Sequence, residues 1–204
     1  MNPKYHGDAK DLFKRGWLNL VRGISAIHHL RVLPLFTGEY KSTDITAYAR
    51  ILGIEEDDLI SRDRFYPRQG RKEYLSVACQ RMHEHDLFVD PDRGVVAELR
   101  DESSDKEVLS FEEVSFLVGE SSGLLLIYDE SVSIAHRERA TSEKLDGLGT
   151  TGLSVFAYFN SSPNHPNILA VSGGNGRQRL RQFREELVTI GIPRAKLLPQ
   201  EGDL

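Results

Sequence analysis

The stretch from Gln69 to Arg100, QGRKEYLSVACQRMHEHDLFVDPDRGVVAELR, constrains the fold of this chain more than any other. It holds two hydrophobic periods in succession. From Arg71 to about His85, the residues Tyr74, Leu75, Ala78, Cys79 and Met82 recur at helical spacing, which predicts a helix with one apolar stripe. Lys72, Ser76, Gln80, Arg81 and His83 fall on its other side. Leu87-Phe88-Val89 then reads as a strand and Asp90-Pro91-Asp92-Arg93-Gly94 as a turn whose glycine supplies a positive φ. The residues Val95 to Leu99 read as a returning strand. The expectation is a helix followed by a two-stranded ribbon.

Upstream, the segment from Asp8 to about Phe36 carries Leu12, Phe13, Trp17, Leu18, Val21, Ile24, Ile27, Leu30 and Leu33 at spacings that predict one long helix. Asp8 is its cap, and Pro34 ends or kinks it. Residues 42–54 predict a shorter helix. Ser42 or Thr43 caps it, Asp44 suits the positive end of its dipole, and Gly53 stops it in the left-handed conformation. Ile45, Tyr48, Ala49 and Leu52 share one face. This capped, alanine-containing helix ending in Leu52-Gly53-Ile54, together with the helix and ribbon at 69–100, resembles a winged helix-turn-helix over about residues 12–100. The resemblance implies a recognition helix at 71–85, a wing made of Leu87–Val89 paired with Val95–Leu99, and Arg93 at the wing tip. Some fifteen residues separate Ile54 from the next helix, where the family usually has a short turn. The resemblance therefore also admits an inserted helix or a relative used for protein contacts.

Charge distribution points the same way. The chain has a formal net charge of -5, which argues against nucleic-acid binding through its whole surface. Between residues 60 and 81, however, six basic residues (Arg62, Arg64, Arg68, Arg71, Lys72, Arg81) stand against Asp63 and Glu73 alone. Phe65 and Tyr66 lie among them, available for base stacking or for the core. The candidate nucleic-acid-binding residues are Arg62, Arg64, Arg68, Arg71, Lys72, Ser76, Gln80, Arg81 and Arg93.

The polar, acidic run Asp101–Glu107 predicts a linker between a winged-helix-like domain at 1–100 and a second unit at 108–204. In that unit Ser110 and Glu113 form a capping-box pattern at a short helix. Strands follow at 123–129, 153–159 and 168–171, then a glycine-rich turn into a helix at 177–190, and a last short strand at 195–198. Residues 131–148 read as an exposed helix or a loop. The expected class is α+β: a helical winged-helix-like domain followed by a small α/β unit of three to four strands.

The turn Ser172-Gly173-Gly174-Asn175-Gly176, with Arg177, is the candidate ligand site, because strand-to-helix backbone N–H groups can cradle a phosphate. It matches neither Walker A nor the full dinucleotide spacing. Asp129 and Glu130 stand at a strand end, where α/β proteins place catalytic groups, and Asn160 and the glycine turn are candidates to line the same edge. The histidines lack metal-ligand spacing: His83 and His85 diverge by about 200° on a helix. With one cysteine, Cys79, no intrachain disulfide or multi-cysteine zinc site is possible.

Sequence alone therefore predicts no catalytic residue, metal or cofactor. It predicts a protein that binds nucleic acid, duplex DNA in particular, in a regulatory or accessory role. The C-terminal unit would oligomerise or sense a ligand. The alternatives are a non-catalytic interaction subunit of a larger assembly and a metal-dependent enzyme acting on nucleotides or nucleic acid. No apolar run approaches a membrane span and no signal-peptide pattern opens the chain, so the expected location is the cytoplasm.

Overall fold

The computed structural model describes residues 7–37, 41–60, 70–82, 85–99, 107–119, 121–130, 136–160 and 166–199, the side chains of Arg81 and Met82 excepted. In chain order the elements are α1 (Ala9–Arg22), β1 (Arg31–Pro34), α2 (Ser42–Leu52), α3 (Arg71–Met82), β2 (Leu87–Asp90), β3 (Gly94–Val96), β4 (Val108–Ser110) and α4 (Phe111–Val118). They continue as β5 (Leu125–Asp129), α5 (Arg137–Thr150), β6 (Ser154–Tyr158), β7 (Asn167–Ser172), α6 (Arg177–Thr189) and β8 (Leu197–Leu198). The expected α+β class holds.

Three short strands, β1, β2 and β5, are apolar on both sides. Such strands are stable only inside a sheet covered on both faces, and parallel pairing is the usual result. They pair in parallel with Val32 opposite Phe88 and Phe88 opposite Leu126. β7 adds antiparallel to β5, β6 to β7, and β8 to β6, giving a six-stranded sheet in the order β1-β2-β5-β7-β6-β8. Alternation along the strands splits the core in two. Val32, Phe88, Leu126 and Tyr128 face α1, α2 and α6 through Trp17, Leu18, Tyr48, Leu52, Leu180 and Phe183. Leu33, Val89, Leu125 and Ile127 face α3, α4 and α5 through Leu75, Ala78, Leu117, Leu145 and Leu148.

This arrangement replaces the winged helix. Leu87, Phe88 and Val89 are all fully buried, whereas a wing strand keeps one face in water. β3 pairs not with β2 but in parallel with β4. α2 and α3 pack on opposite faces of the sheet, so they cannot form a helix-turn-helix. Strands from both sides of the expected linker at 101–107 join in one sheet through β2 and β5, and that linker does not separate two cores. β1, read as the tail of the first helix, continues the helical spacing of apolar residues but is buried on both faces.

Local signals fared better. Asp8 caps α1 by accepting from the N–H groups of Lys10 and Asp11. Gly53 ends α2 with φ 69°. Ser110 and Glu113 form a capping box at α4. Asp44 does serve the start of α2, but by accepting from the Lys41 N–H at 2.9 Å, with Lys41 as the cap residue.

Candidate active site

β1, β2, β5 and β6 end at one edge of the sheet, and the antiparallel β7 begins there: Asp129 lies opposite Asn167. The carboxyl edge of parallel strands is where open α/β sheets place their sites. The pleat then sorts the polar residues onto two faces.

On the α1/α2 face Asp90 ends β2. It is fully buried. Its Oδ2 accepts from Lys14 Nζ at 3.0 Å and from the Tyr48 hydroxyl at 2.6 Å. Its Oδ1 is buried with no hydrogen-bond partner among the described residues. Lys14, 4% exposed, also donates to Asp11 Oδ1 at 3.3 Å and stands 4.4 Å over the Tyr128 ring. Asp11, Lys14, Trp17 and Leu18 form the buried stripe of α1, so the helix carries an ion pair on its apolar face. Tyr128 donates to Glu130, which pairs with Lys10. The half-buried rings of Phe13 and Tyr158 lie beside it, 6.5 Å apart at 27°.

Two acids share one lysine here, so one carboxyl keeps its proton more readily than in water. Burial pushes Asp90 above the ordinary carboxylate value, outweighing Lys14 and Tyr48. Asp11 also accepts a backbone N–H from Gly7 at 2.8 Å. Burial alone would lower Lys14, but Asp90 and Asp11 reverse this and hold it above its ordinary value, so it stays cationic. Burial and then Glu130 push the Tyr128 hydroxyl up strongly, which keeps it a donor.

On the other face Asp129 is a structural hub. It accepts from Lys144 Nζ at 2.8 and 2.7 Å and from the Val95 N–H at 3.0 Å. Asn167 donates to Thr141 at 3.1 Å and accepts from the Asn160 N–H at 3.2 Å. Arg137 is buried, and burial lowers its pKa against the pull of Asp129 and Glu130. Asp129 and Asn160 therefore share an edge as expected, but the glycine turn does not join them. Because β7 is antiparallel, Ser172 lies at the opposite edge, roughly 16 Å away along the strand from Asn167. There Gly173 and Gly176 are packed against backbone: a Cβ on either would lie 3.0 Å from the carbonyl oxygen of Gly119 or Ser122. Gly174, Asn175 and Arg177 are exposed, and Ser172 is buried. Gly173 and Gly176 let the backbone at Gly119 and Ser122 approach.

The nucleic-acid candidates scatter. Arg71 is 2% exposed, its guanidinium held by Glu113 and by the Val108 carbonyl at 2.8 Å, so it cannot meet a phosphate. Lys72 and Gln80 are exposed on α3, and Ser76 is half-buried and donates to the Lys72 carbonyl at 2.6 Å. Arg93 is exposed but ion-paired with Glu107 at 2.8 Å, on no wing. Arg62, Arg64 and Arg68, and the side chain of Arg81, lie outside the described residues. Among the described residues no group of three or more His, Cys, Asp or Glu is placed to hold a metal, and no helix is long and apolar enough to cross a membrane.

Sequence reasoning missed Asp11, Lys14, Tyr48, Asp90 and Lys144 as a site. One signal was present: Asp11 and Lys14 fall on the apolar stripe of α1, where an unpaired charge would be costly. Compared with known protein families, curated proteins and solved structures, the chain matches none.

Proposed function

We propose that this chain is an enzyme that moves a proton on a small polar ring compound bound at the carboxyl edge, with Asp90 as the acid–base group. The observation that carries the proposal is the buried Oδ1 of Asp90, unpartnered among the described residues within an otherwise paired network. A buried carboxyl with a raised pKa, fixed by a lysine and a tyrosine, fits general acid–base work. Lys14 and Tyr48 hold Oδ2, which makes Oδ1 the oxygen proposed to exchange the proton. Asp11, Lys14 and Asp90 together carry one negative charge when ionised, which favours a neutral or cationic group over a phosphate. The half-buried rings of Phe13 and Tyr158 suit a planar ring, so a nucleoside-type compound is the class proposed. The test is protein-observed NMR against nucleosides, amino sugars and their phosphates. Shifts clustered at residues 13, 14, 48 and 90 and lost in Asp90→Asn support it. Shifts elsewhere, or unchanged in that variant, overturn it.

Duplex-DNA binding is the second reading. The exposed Lys72 and Gln80 continue the basic run of Arg62, Arg64 and Arg68. A gel shift across salt tests it: binding that weakens in Lys72→Ala and Arg68→Ala supports it, and no binding at low salt removes it.

A further inference from the structure

At the opposite, amino edge of the sheet, a cavity of about 300 Å³ opens where α1 ends and β1 and β2 begin. Arg22, His29, Arg31, Asp58 and His85 line it over an apolar floor. We infer that this cavity is an oxyanion site, taking the phosphate of a small phosphomonoester or free phosphate. Among the described residues, four nitrogen-bearing side chains face one carboxylate there. That carboxylate is already matched: Arg22 donates to Asp58 Oδ2 at 3.1 Å and to the Gly53 carbonyl at 3.1 Å. Arg31 spends one N–H on the Asp57 carbonyl at 2.6 Å, and no carboxylate pairs with it among the described residues. Its planar guanidinium keeps further donors suited to a tetrahedral oxyanion.

The backbone brings the imidazoles in. His29 has φ 45°, a left-handed conformation uncommon for a non-glycine residue. It turns the chain just before β1, and its ring meets that of His85 edge-on, with centroids 6.0 Å apart. Asp86, next to His85, is withdrawn from the cavity's charge by a two-pronged contact with Arg179 and by the N–H groups of His28 and Leu124. In the neighbouring turn, Glu56 accepts from the Thr46 hydroxyl at 2.7 Å. The cavity volume lies at the lower end of small-ligand pockets and exceeds a bare phosphate, so a short ester fits beside the apolar floor.

The experiment is a ¹⁵N-NMR titration of the full chain with inorganic phosphate and, separately, glycerol phosphate at constant ionic strength, with chloride as control. Saturable shifts of the amides at 22, 29–31, 58 and 85 are expected with both, and none with chloride. His29→Asn keeps a residue that tolerates the left-handed backbone and removes the imidazole. Together with Arg31→Met it should weaken phosphate binding at least about tenfold. Tighter binding of the ester than of free phosphate supports an ester ligand. Equal binding assigns free phosphate. If Arg31→Met fails to fold, His29→Asn alone decides. Shifts that chloride reproduces, or phosphate affinity unchanged in the folded variants, overturn the inference.

Discussion

Replacing Lys14 with methionine tests the charge logic of the carboxyl edge most directly. The ammonium is 3.0 Å from Asp90 and 3.3 Å from Asp11, with its side chain 5% exposed. Methionine keeps an unbranched stem and a good helix propensity, so the change is chiefly loss of charge. Both carboxyls then stay in the interior without the ammonium between them, and breaking a buried pair from one side costs about 3–5 kcal/mol. The cost should depend on pH. Asp90 already binds its proton more tightly folded than unfolded, and removing Lys14 removes the largest influence opposing that shift. A carboxyl with a raised folded pKa gives stability that is present at low pH and is lost as pH rises from the ordinary value, 3.8, through the folded one. Lys14 itself stays cationic throughout this range, because its folded pKa lies above 10.5. The Lys14→Met loss therefore grows with pH and should be smaller near about pH 4 than near about pH 8. Urea unfolding followed by fluorescence reads it, since the only tryptophan, Trp17, is buried 5.0 Å from Tyr158. Adding Asp90→Asn should return about half of the loss, because the uncompensated acid is gone. A loss under about 1 kcal/mol, an equal loss at both pH values, or no recovery in the double variant would refute the reasoning.

Four further outcomes follow from the structure. Gly94→Ala should destabilise by at least about 3 kcal/mol in urea unfolding: φ is 116° and the new Cβ would lie 2.0 Å from Asp129 Oδ1 and 2.8 Å from Asp129 Cα. Arg179→Met leaves the buried Asp86 without its two-pronged partner and should lower stability by about 2–4 kcal/mol in the same assay. Arg71→Ala should cost about 3 kcal/mol because Glu113 and the Val108 carbonyl lose their donor, while Lys72→Ala stays within about 0.5 kcal/mol; equal effects would mean α3 packs differently. Burial holds the Cys79 thiol above its ordinary value of 9.0, and its sulfur lies 3.2 Å from the Phe116 carbonyl. Alkylation by iodoacetamide at about pH 8 should therefore run at least about tenfold slower than in urea-unfolded chain, as mass spectrometry would show.

What the residues dictate locally was readable without coordinates. Asp8, Gly53 and the Ser110–Glu113 box act within a few residues of where they stand, so the ends of α1, α2 and α4 could be placed. The strands at 125–129, 154–158 and 167–172 and the helix at 177–189 were visible as apolar periods between breakers. Pairing was not. Leu87-Phe88-Val89 reads alike as a wing or as an interior strand, and only burial on both faces decided for the parallel neighbours β1 and β5. β1 was hidden because Val32 and Leu33 continue a helical spacing. The site was hidden for the same physical reason: Lys14 meets Asp90 across 76 residues and Tyr48 meets it across 42. A charge on an apolar stripe announces that a partner must exist, but burial cost is settled by whichever group the fold brings near. The sequence by itself determined most of the local elements, the helix ends at Asp8, Gly53 and Ser110, and the α+β class. The tertiary structure alone decided which faces met, and so placed Asp90 beside its lysine and turned the glycine loop to the far edge.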